Sequence, residues 1–312
     1  MKLARPDVFH PRIVLAGCPQ LVAGDGDDAG LIGALRKRGL HAQWLSWDDP
    51  ETARAHLVIL RATWDYALRL DEFLAWTRSV PNVLNAPDVV AWNVDKSYLL
   101  DLARLGVPTV PSEVFTPGDP VRLPRSEVVV KPTVGVGSVD AQRFTDRSQA
   151  LDHIAKLHAQ GRAVLVQPYD ARVEDSGETA LVFLGGKASH AFTKAAMLPP
   201  TGRPQLDATG TFALEALNPS EPDFEMWDVG FAALDAAANH LGGAPSDLLY
   251  ARADIIGGIE DPRLLELELV EPSLGWSQLD DRTRELQQRE FTLCVISALG
   301  RLGLGPMSHR RP

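Results

Sequence analysis

Tyr250-Ala251-Arg252-Ala253-Asp254-Ile255-Ile256, followed by Leu264-Leu265-Glu266-Leu267-Glu268-Leu269-Val270-Glu271-Pro272, alternates apolar with charged residues. A period of two marks strands with one face in a core. Gly257, Gly258, Asp261 and Pro262 lie between the pieces and supply a short turn, so the strands are expected to pair antiparallel. Asp254, Glu266 and Glu268 then share the charged face. Carboxylates gathered on one face repel one another unless a cation sits among them, and an all-oxygen donor set favours Mg²⁺ or Mn²⁺ over zinc. A polar face turned to solvent has the same pattern. The segments upstream bear on the choice.

The 312 residues are 45% hydrophobic and 23% charged, the composition of a globular protein of about two domains. A net charge of −10 argues against nucleic acid or an anionic membrane surface as partner. It leaves room for a phosphate ligand held by a local basic cluster. No apolar run reaches membrane-spanning length. Leu15-Ala16-Gly17-Cys18 has the look of a lipoprotein cleavage site, but the apolar run before it is short and Arg12 interrupts it. Cys18 and Cys294, far apart in sequence, are expected to be reduced, and the protein to be cytoplasmic.

Arg12 to Gly17, Gln43 to Leu45 and Leu57 to Leu60 read as strands separated by a helical pattern around Leu31, Leu35 and Leu40. This alternation predicts an α/β, doubly wound open parallel sheet over the first 90 residues or so. Gly24, Gly26 and Gly30 lack the spacing of a dinucleotide fingerprint, which disfavours a nicotinamide oxidoreductase. Ligands of such sheets bind beyond the carboxyl ends of strands. There stand Arg61, Trp64, Asp65 and Tyr66, a set able to grip a zwitterion; packing against a following helix would also account for the aromatics. Asn93 reads as the N-cap of a helix running to about Leu105, with Lys96 in its first turn. Glu127 to Pro132 is a strand ending in Lys131, and Gly135, Val136, Gly137 and Ser138 turn the chain into a second strand, Val139 to Phe144. Such a turn can offer backbone N–H groups to phosphates, though it is also an ordinary hairpin, and no Walker motif is present. Ala163 to Tyr169 and the runs Thr179 to Leu184 and Lys187 to Thr193 continue the strands. Residues from Ala196 to Pro222 read as a loop or lid, Glu225 to Leu241 and Thr283 to Leu302 as helices, and the tail past Gly305 as frayed. The scattered histidines have no zinc-ligand spacing, and no Gly-x-Ser-x-Gly elbow occurs.

In this order the segments resemble the ATP-grasp superfamily of carboxylate–amine ligases, and its glutathione-synthetase-like branch in particular. The resemblance covers nearly the whole chain and rests on several short motifs in sequence. It implies an N-terminal α/β domain over 1–92, a central lobe with the glycine loop over 93–168, and a C-terminal lobe with the metal site over 169–312. It assigns Lys96 and Lys131 to the phosphates of ATP, and Gly135, Gly137 and Ser138 to the loop that closes over them. Gln167, Pro168 and Tyr169 become the linker that meets adenine, with Glu174 or Glu178 on the ribose. Arg252 steadies the transferred phosphoryl group, and Asp254, Glu266 and Glu268 hold two Mg²⁺, with Mn²⁺ as an alternative. Glu268 departs from the pattern, in which the third ligand is usually Asn.

The implied reaction makes an amide from an amino-acid carboxylate through an acyl phosphate, releasing ADP and phosphate, and needs no side-chain nucleophile. Arg-Ala-Thr-Trp-Asp-Tyr, Trp-Asn-x-Asp-Lys-x-Tyr-Leu, Gly-Glu-x-x-Leu-Val-Phe and Glu-Leu-Glu-Leu-x-Glu-Pro-Ser-Leu together are similar to a subgroup that includes the D-cycloserine-forming cyclo-ligase. That implies ring closure of O-ureido-D-serine and a role in antibiotic biosynthesis. Intermolecular ligation of amino acids or peptides is the alternative, and a non-catalytic nucleotide-binding module a second one. His190 and Lys194 are candidates for substrate or phosphate contact, and Glu271 for a substrate ammonium; strand ends facing solvent would read the same. Family habit implies a homodimer.

Overall fold

The computed structural model describes residues 10–200, 202–208, 210 and 213–305. The fraying expected past Gly305 lies outside the described residues. Three sheets account for the strands. The first holds β1 (Arg12–Gly17), β2 (His41–Ser46), β3 (Leu57–Ala62) and β4 (Val83–Leu84), all parallel, in the order β2-β1-β3-β4. Helices α1 (Leu31–Lys37), α2 (Leu70–Ser79) and α3 (Pro87–Asn93) belong to this part, so the predicted open parallel sheet is present. β3 is buried along its whole length, as a parallel strand covered on both faces must be.

After the short helix α4 (Tyr98–Arg104), a small antiparallel sheet follows. It comprises β5 (Glu113–Phe115), β6 (Val128–Pro132), β7 (Gln142–Phe144) and β8 (Val164–Pro168), in the order β5-β8-β6-β7 and backed by α5 (Arg147–Ala159). Its core of Phe115, Val128, Val130, Ile154, Leu157, Val164 and Val166 comes from this lobe alone. β7 begins three residues later than the predicted Val139. Gly137 (φ 58°), Ser138 (59°) and Asp140 (63°) are all left-handed, so the chain is still turning there.

The third sheet has five strands: β9 (Glu178–Leu184), β10 (Lys187–Lys194), β11 (Leu217–Ser220), β12 (Tyr250–Ile256) and β13 (Arg263–Glu268), in the order β11-β10-β9-β12-β13. Helix α6 (Val173–Ser176) precedes it, α7 (Phe224–His240) packs on it, and α8 (Asp281–Arg301) ends the chain's regular structure. β12 and β13 pair antiparallel as predicted, with Asp254 opposite Glu266 and Arg252 opposite Glu268. Ile255 then pairs with Leu264, which leaves Leu265 as the extra residue of a bulge. Leu264 and Leu267 enter the core, while Leu265, Glu266 and Glu268 line a cavity. The segment read as a loop from Ala196 to Pro222 contains β11, which pairs with β10 at the edge of the sheet.

Pairing divides this sheet into two faces. Leu181, Phe183, Ala191, Ala251, Ala253 and Ile255 pack on Val229, Ala233, Leu234 and Ala237 of α7. The opposite face is apolar at one end, where Ala180, Val182, Phe192 and Tyr250 join Ile13, Leu15, Leu57 and Ile59 of the first sheet and Phe291, Val295 and Leu299 of α8 in one core. At its other end the same face carries Glu178, Lys194, Arg252, Asp254, Glu266 and Glu268. The apolar end glues the sheet to the N-terminal part; the charged end is left to chemistry.

Asn85, fully buried, ties the two together. Its amide nitrogen donates to Tyr250 O (3.0 Å) and Leu269 O (2.6 Å), and its oxygen accepts from Leu249 N (2.7 Å). Asn85→Ala strands these backbone groups in a dry interior. We expect a loss of about 3 kcal/mol of stability, read from the urea midpoint; an unchanged midpoint would show that water reaches this junction.

Candidate active site

A cavity of about 360 Å³ lies where the three sheets meet. Alternation along β6 sends Val128 and Val130 into the small lobe's core and turns Val129 and Lys131 to the cavity. Among the described residues Lys131 Nζ has one ion-pair partner, Glu266, at 3.7 Å. Burial lowers its pKa, and Lys96 and Lys194 act in the same direction against Glu266. Lys96 is not on a helix. It precedes α4, where Asp95 and Val134 form a β-bridge and Lys96 N donates to Thr133 O (2.8 Å). Its ammonium reaches Gly135 O (2.8 Å) and Glu266 (3.0 Å). Gly135, Gly137 and Ser138 line the same end, and Gly137 O accepts from Ala213 N (2.8 Å). The glycine loop and the segment before β11 therefore cover the cavity together.

Asn93 is no N-cap. It ends α3, buried, and its side chain donates to Leu267 O (2.8 Å) and accepts from Leu269 N (2.7 Å). Tyr98 Oη accepts from Leu267 N (2.9 Å). These side chains stand in for a neighbouring strand along the outer edge of β13.

The three carboxylates expected to share metal each face cations of the protein. Asp254 accepts from Lys194 Nζ (2.7 Å), Arg252 Nε (2.8 Å) and Arg252 Nη2 (3.0 Å). Burial alone would raise its carboxyl, but Arg252 and Lys194 hold it well below the usual range. Glu266 is likewise opposed by burial and brought down to about 2 by Lys96 and Lys131. Glu268 bonds Arg252, yet burial together with Asp254 and Glu266 pushes it up to about 7. Among the described residues, no three such groups converge as a ready metal site. The donor chemistry nonetheless fits a hard divalent ion, because the carboxylates of Glu266 and Glu268 line the cavity and are oxygen donors. Arg252 Nη1 donates to Ser273 O (3.0 Å), so among the described residues four of its five N–H groups have partners and one on Nη1 is left for an incoming oxygen. Lys194 also pairs with Glu178 (2.9 Å) and belongs to this charged end.

At the far side of Lys131, Gln167, Pro168 and Tyr169 line the wall, with Gln167 fixed by Ser112 Oγ (3.0 Å). Glu178 lines the cavity; Glu174 does not. Glu174 is held outside by Tyr169 Oη (2.6 Å) and Arg143 Nη1 (2.5 Å), and Arg143 lies over the Tyr169 ring, 3.6 Å from its centroid. Glu174 is thus a brace for the linker. Glu178→Ala should weaken ATP binding about tenfold by calorimetry, as loss of a hydrogen bond to a charged group does, while Glu174→Ala stays within about threefold. The reverse ranking would put the nucleotide on the other side of Tyr169.

Trp64, Tyr66 and Glu271 line the cavity as well, joined by Asp25 and Ser273, which the sequence alone did not mark. Asp25 follows β1 in the loop read only as a failed glycine fingerprint; its place beyond a parallel strand was the available signal. Three expected contacts are overturned. Arg61 is 2% exposed, bonded to Asp28 (2.9 Å) and Pro272 O (2.8 Å), with its guanidinium 5.0 Å from the Tyr250 ring centroid. Asp65 accepts from Trp47 Nε1 (2.7 Å) and pairs with Arg69. His190 is buried against Trp276, with Nε2 2.6 Å from Leu274 O. Each is bonded within the fold, although Arg61 Nη1 is left without a hydrogen-bond partner among the described residues, and none lines the cavity. Glu271 is 9% exposed and pushed up to about 8 by burial, with Glu268 adding to it.

Residues 13–85 match the family described as the N-terminal domain of D-cycloserine synthetase DcsG. The cycloserine biosynthesis protein DcsG of Streptomyces lavendulae is 37% identical over 276 residues, covering 82% of this chain and 90% of that protein. The crystal structure of D-cycloserine synthetase DcsG is similar at TM-score 0.80 and 34% identity, over 91% of this chain and 98% of that one. Two more distant structures share the fold. D-alanine–D-alanine ligase from Bacillus anthracis, in complex with ATP, gives TM-score 0.64 at 13% identity over 94% and 98% of the two chains. The ATP-grasp ligase PsnB, with minimal precursor, Mg and ADP, gives 0.54 at 16% over 91% and 98%. The three-sheet fold, the cation-lined cavity and these likenesses agree: the chain belongs to the D-cycloserine synthetase DcsG family and carries the ATP-grasp ligase fold.

Proposed function

We propose that this ATP-dependent ligase closes O-ureido-D-serine onto itself to form D-cycloserine. The observation that carries the reading is one cavity lined both by Lys96, Lys131, Lys194 and Arg252 and by Trp64, Tyr66 and Glu271. Phosphates suit the cations and an amino acid the second set.

In this reading Lys96 and Lys131 hold the phosphates of ATP beneath the loop of Gly135, Gly137 and Ser138, while Gln167 to Tyr169 face adenine and Glu178 the ribose. Asp254, Glu266 and Glu268 would hold two Mg²⁺, which supply positive charge between the phosphates. The substrate carboxylate takes the γ-phosphoryl group, and the free N–H of Arg252 meets the oxygen on which charge develops. The segment bonded to Gly137 O keeps water from the acyl phosphate. The ureido nitrogen bonded to oxygen then attacks the acyl carbon, phosphate leaves, and the five-membered ring closes. The ring product lacks the carbamoyl group, so that group is shed by hydrolysis as carbon dioxide and ammonia.

Cys18 and Cys294 are unpaired in the fold, which supports a reducing, cytoplasmic setting. Among the described residues no helix is long and apolar enough to cross a membrane.

The test is ADP and phosphate release from Mg-ATP against D- and L-amino acids, singly and in pairs, with O-ureido-D-serine included and products identified by mass. Turnover with that substrate alone, yielding the ring, supports the proposal. Turnover only with pairs would make the protein an intermolecular ligase instead, and ATP binding without release in any combination a nucleotide-binding module.

A further inference from the structure

We infer that Glu271 binds the α-ammonium of the amino-acid substrate and so withholds that nitrogen from the reaction, leaving a side-chain nitrogen as the nucleophile. The inference rests on the ligase reading for its chemistry, and on Glu271 itself for its geometry. Every other buried acid on the charged face has a cation beside it: Glu178 and Asp254 have Lys194, Glu266 has Lys96, and Glu268 has Arg252. Asp28, behind the cavity, has Arg61. Glu271 is 9% exposed and lines the cavity, yet makes no hydrogen bond or ion pair among the described residues. A buried carboxylate without a partner is costly, so its counter-ion is expected to arrive with the ligand.

The surroundings point to an ammonium. The cations that line the cavity are each paired with another acid, Lys96 and Lys131 with Glu266 and Lys194 and Arg252 with Asp254; Lys96 and Arg252 act on Glu271 without forming an ion pair with it among the described residues. Arg61 acts on Glu271 from behind the cavity wall, but it is bonded to Asp28 and Pro272 O and forms no ion pair with Glu271 among the described residues. A divalent ion would need several oxygens converging, and among the described residues no such group includes Glu271. Trp64 and Tyr66 line the same cavity, and aromatic rings beside an organic cation add to its binding. Two residues on, Ser273 O is bonded to Arg252, so the chain that places Glu271 also touches the guanidinium. An α-amino acid lying along residues 271–273 would put its ammonium on Glu271 and turn its carboxylate toward Arg252 and the phosphates.

The consequence concerns selectivity. An ammonium has no lone pair and cannot attack an acyl phosphate. The new C–N bond is therefore made by another nitrogen, which loses its proton to solvent as the C–O bond to phosphate breaks. Substrates need a free α-amine although that amine is never acylated.

The test compares wild type with Glu271→Gln on O-ureido-D-serine and on 3-(ureidooxy)propionate, the same molecule without the amine. Binding is followed by calorimetry and turnover by ADP release. The wild type should prefer the amine-bearing compound by about 100-fold, and Glu271→Gln should erase that preference by raising Kd and KM for O-ureido-D-serine alone, as loss of a buried charge pair does. The KM for ATP stays within about twofold, because Glu271 is given no part in nucleotide binding. Equal losses on both compounds would reduce Glu271 to a structural role, and an unchanged preference would remove it from the site; either overturns the inference. If neither compound is turned over but the wild type still binds only the amine-bearing one through Glu271, the ammonium site stands and the ligase reading fails.

Discussion

Glu266→Gln is expected to lower the rate of ADP release by about 10³-fold, the scale of a lost charge contact at a reacting phosphoryl group, with the fold retained. Glu266 is the meeting point of the site. Lys96 reaches it at 3.0 Å and Lys131 at 3.7 Å, and it stands opposite Asp254 across β12 and β13. Gln keeps the shape and the hydrogen bond from Lys96 but removes the charge that both lysines, and any divalent ion, answer to. Steady-state ADP release measured beside a thermal melt checks this. Near-normal turnover would move the phosphoryl chemistry elsewhere in the molecule, and a collapsed melt would make the residue structural.

Lys131→Met should cut kcat/KM for ATP by about 10²- to 10³-fold and leave the KM for the amino acid nearly unchanged. The ammonium of Lys131 carries three donors, and among the described residues they meet only Glu266, at the limit of an ion pair. Burial lowers its pKa, with Lys96 and Lys194 helping, which is the condition of a cation held ready for an anion. Lys131→Arg is not expected to rescue, since a planar fork needs more room than a compact ammonium in this packed corner. Measuring both KM values separates this from a general loss of folding; a matched rise in both would place Lys131 in the scaffold.

Strict alternation made β12 and β13 legible, with their pairing and the charged face. It did not reveal the bulge at Leu265, because either neighbour could have stepped out of register without altering the run of residue types. β5 is three residues long and shows no period, so it drew no reading, and β11 contains Pro219 at the sheet edge and fell within the stretch read as a loop. Lys96, Lys131 and Arg252 were recognised by their order along the chain, a feature that survives without coordinates. Arg61 misled for a physical reason. A cation beyond a parallel strand looks like a ligand contact until Asp28, from a loop 33 residues earlier, is seen to neutralise it. His190 failed likewise, its partner Leu274 lying 84 residues away. What is local or periodic can be read; what depends on which distant group fills a partner's valence cannot.

The separate core of the small lobe has a consequence for the order of events. Val128, Val130, Val164 and their neighbours pack among themselves, whereas one continuous core joins the N-terminal sheet, the apolar end of the five-stranded sheet and α8. A swing of the small lobe as a unit would carry away Lys131, the glycine loop and the Gln167–Tyr169 wall. It would leave Trp64, Tyr66 and Glu271 standing on the larger body. Nucleotide could then come and go through a gap that opens and closes, while the amino-acid end keeps its walls throughout, so a bound amino acid need not depart when spent nucleotide does.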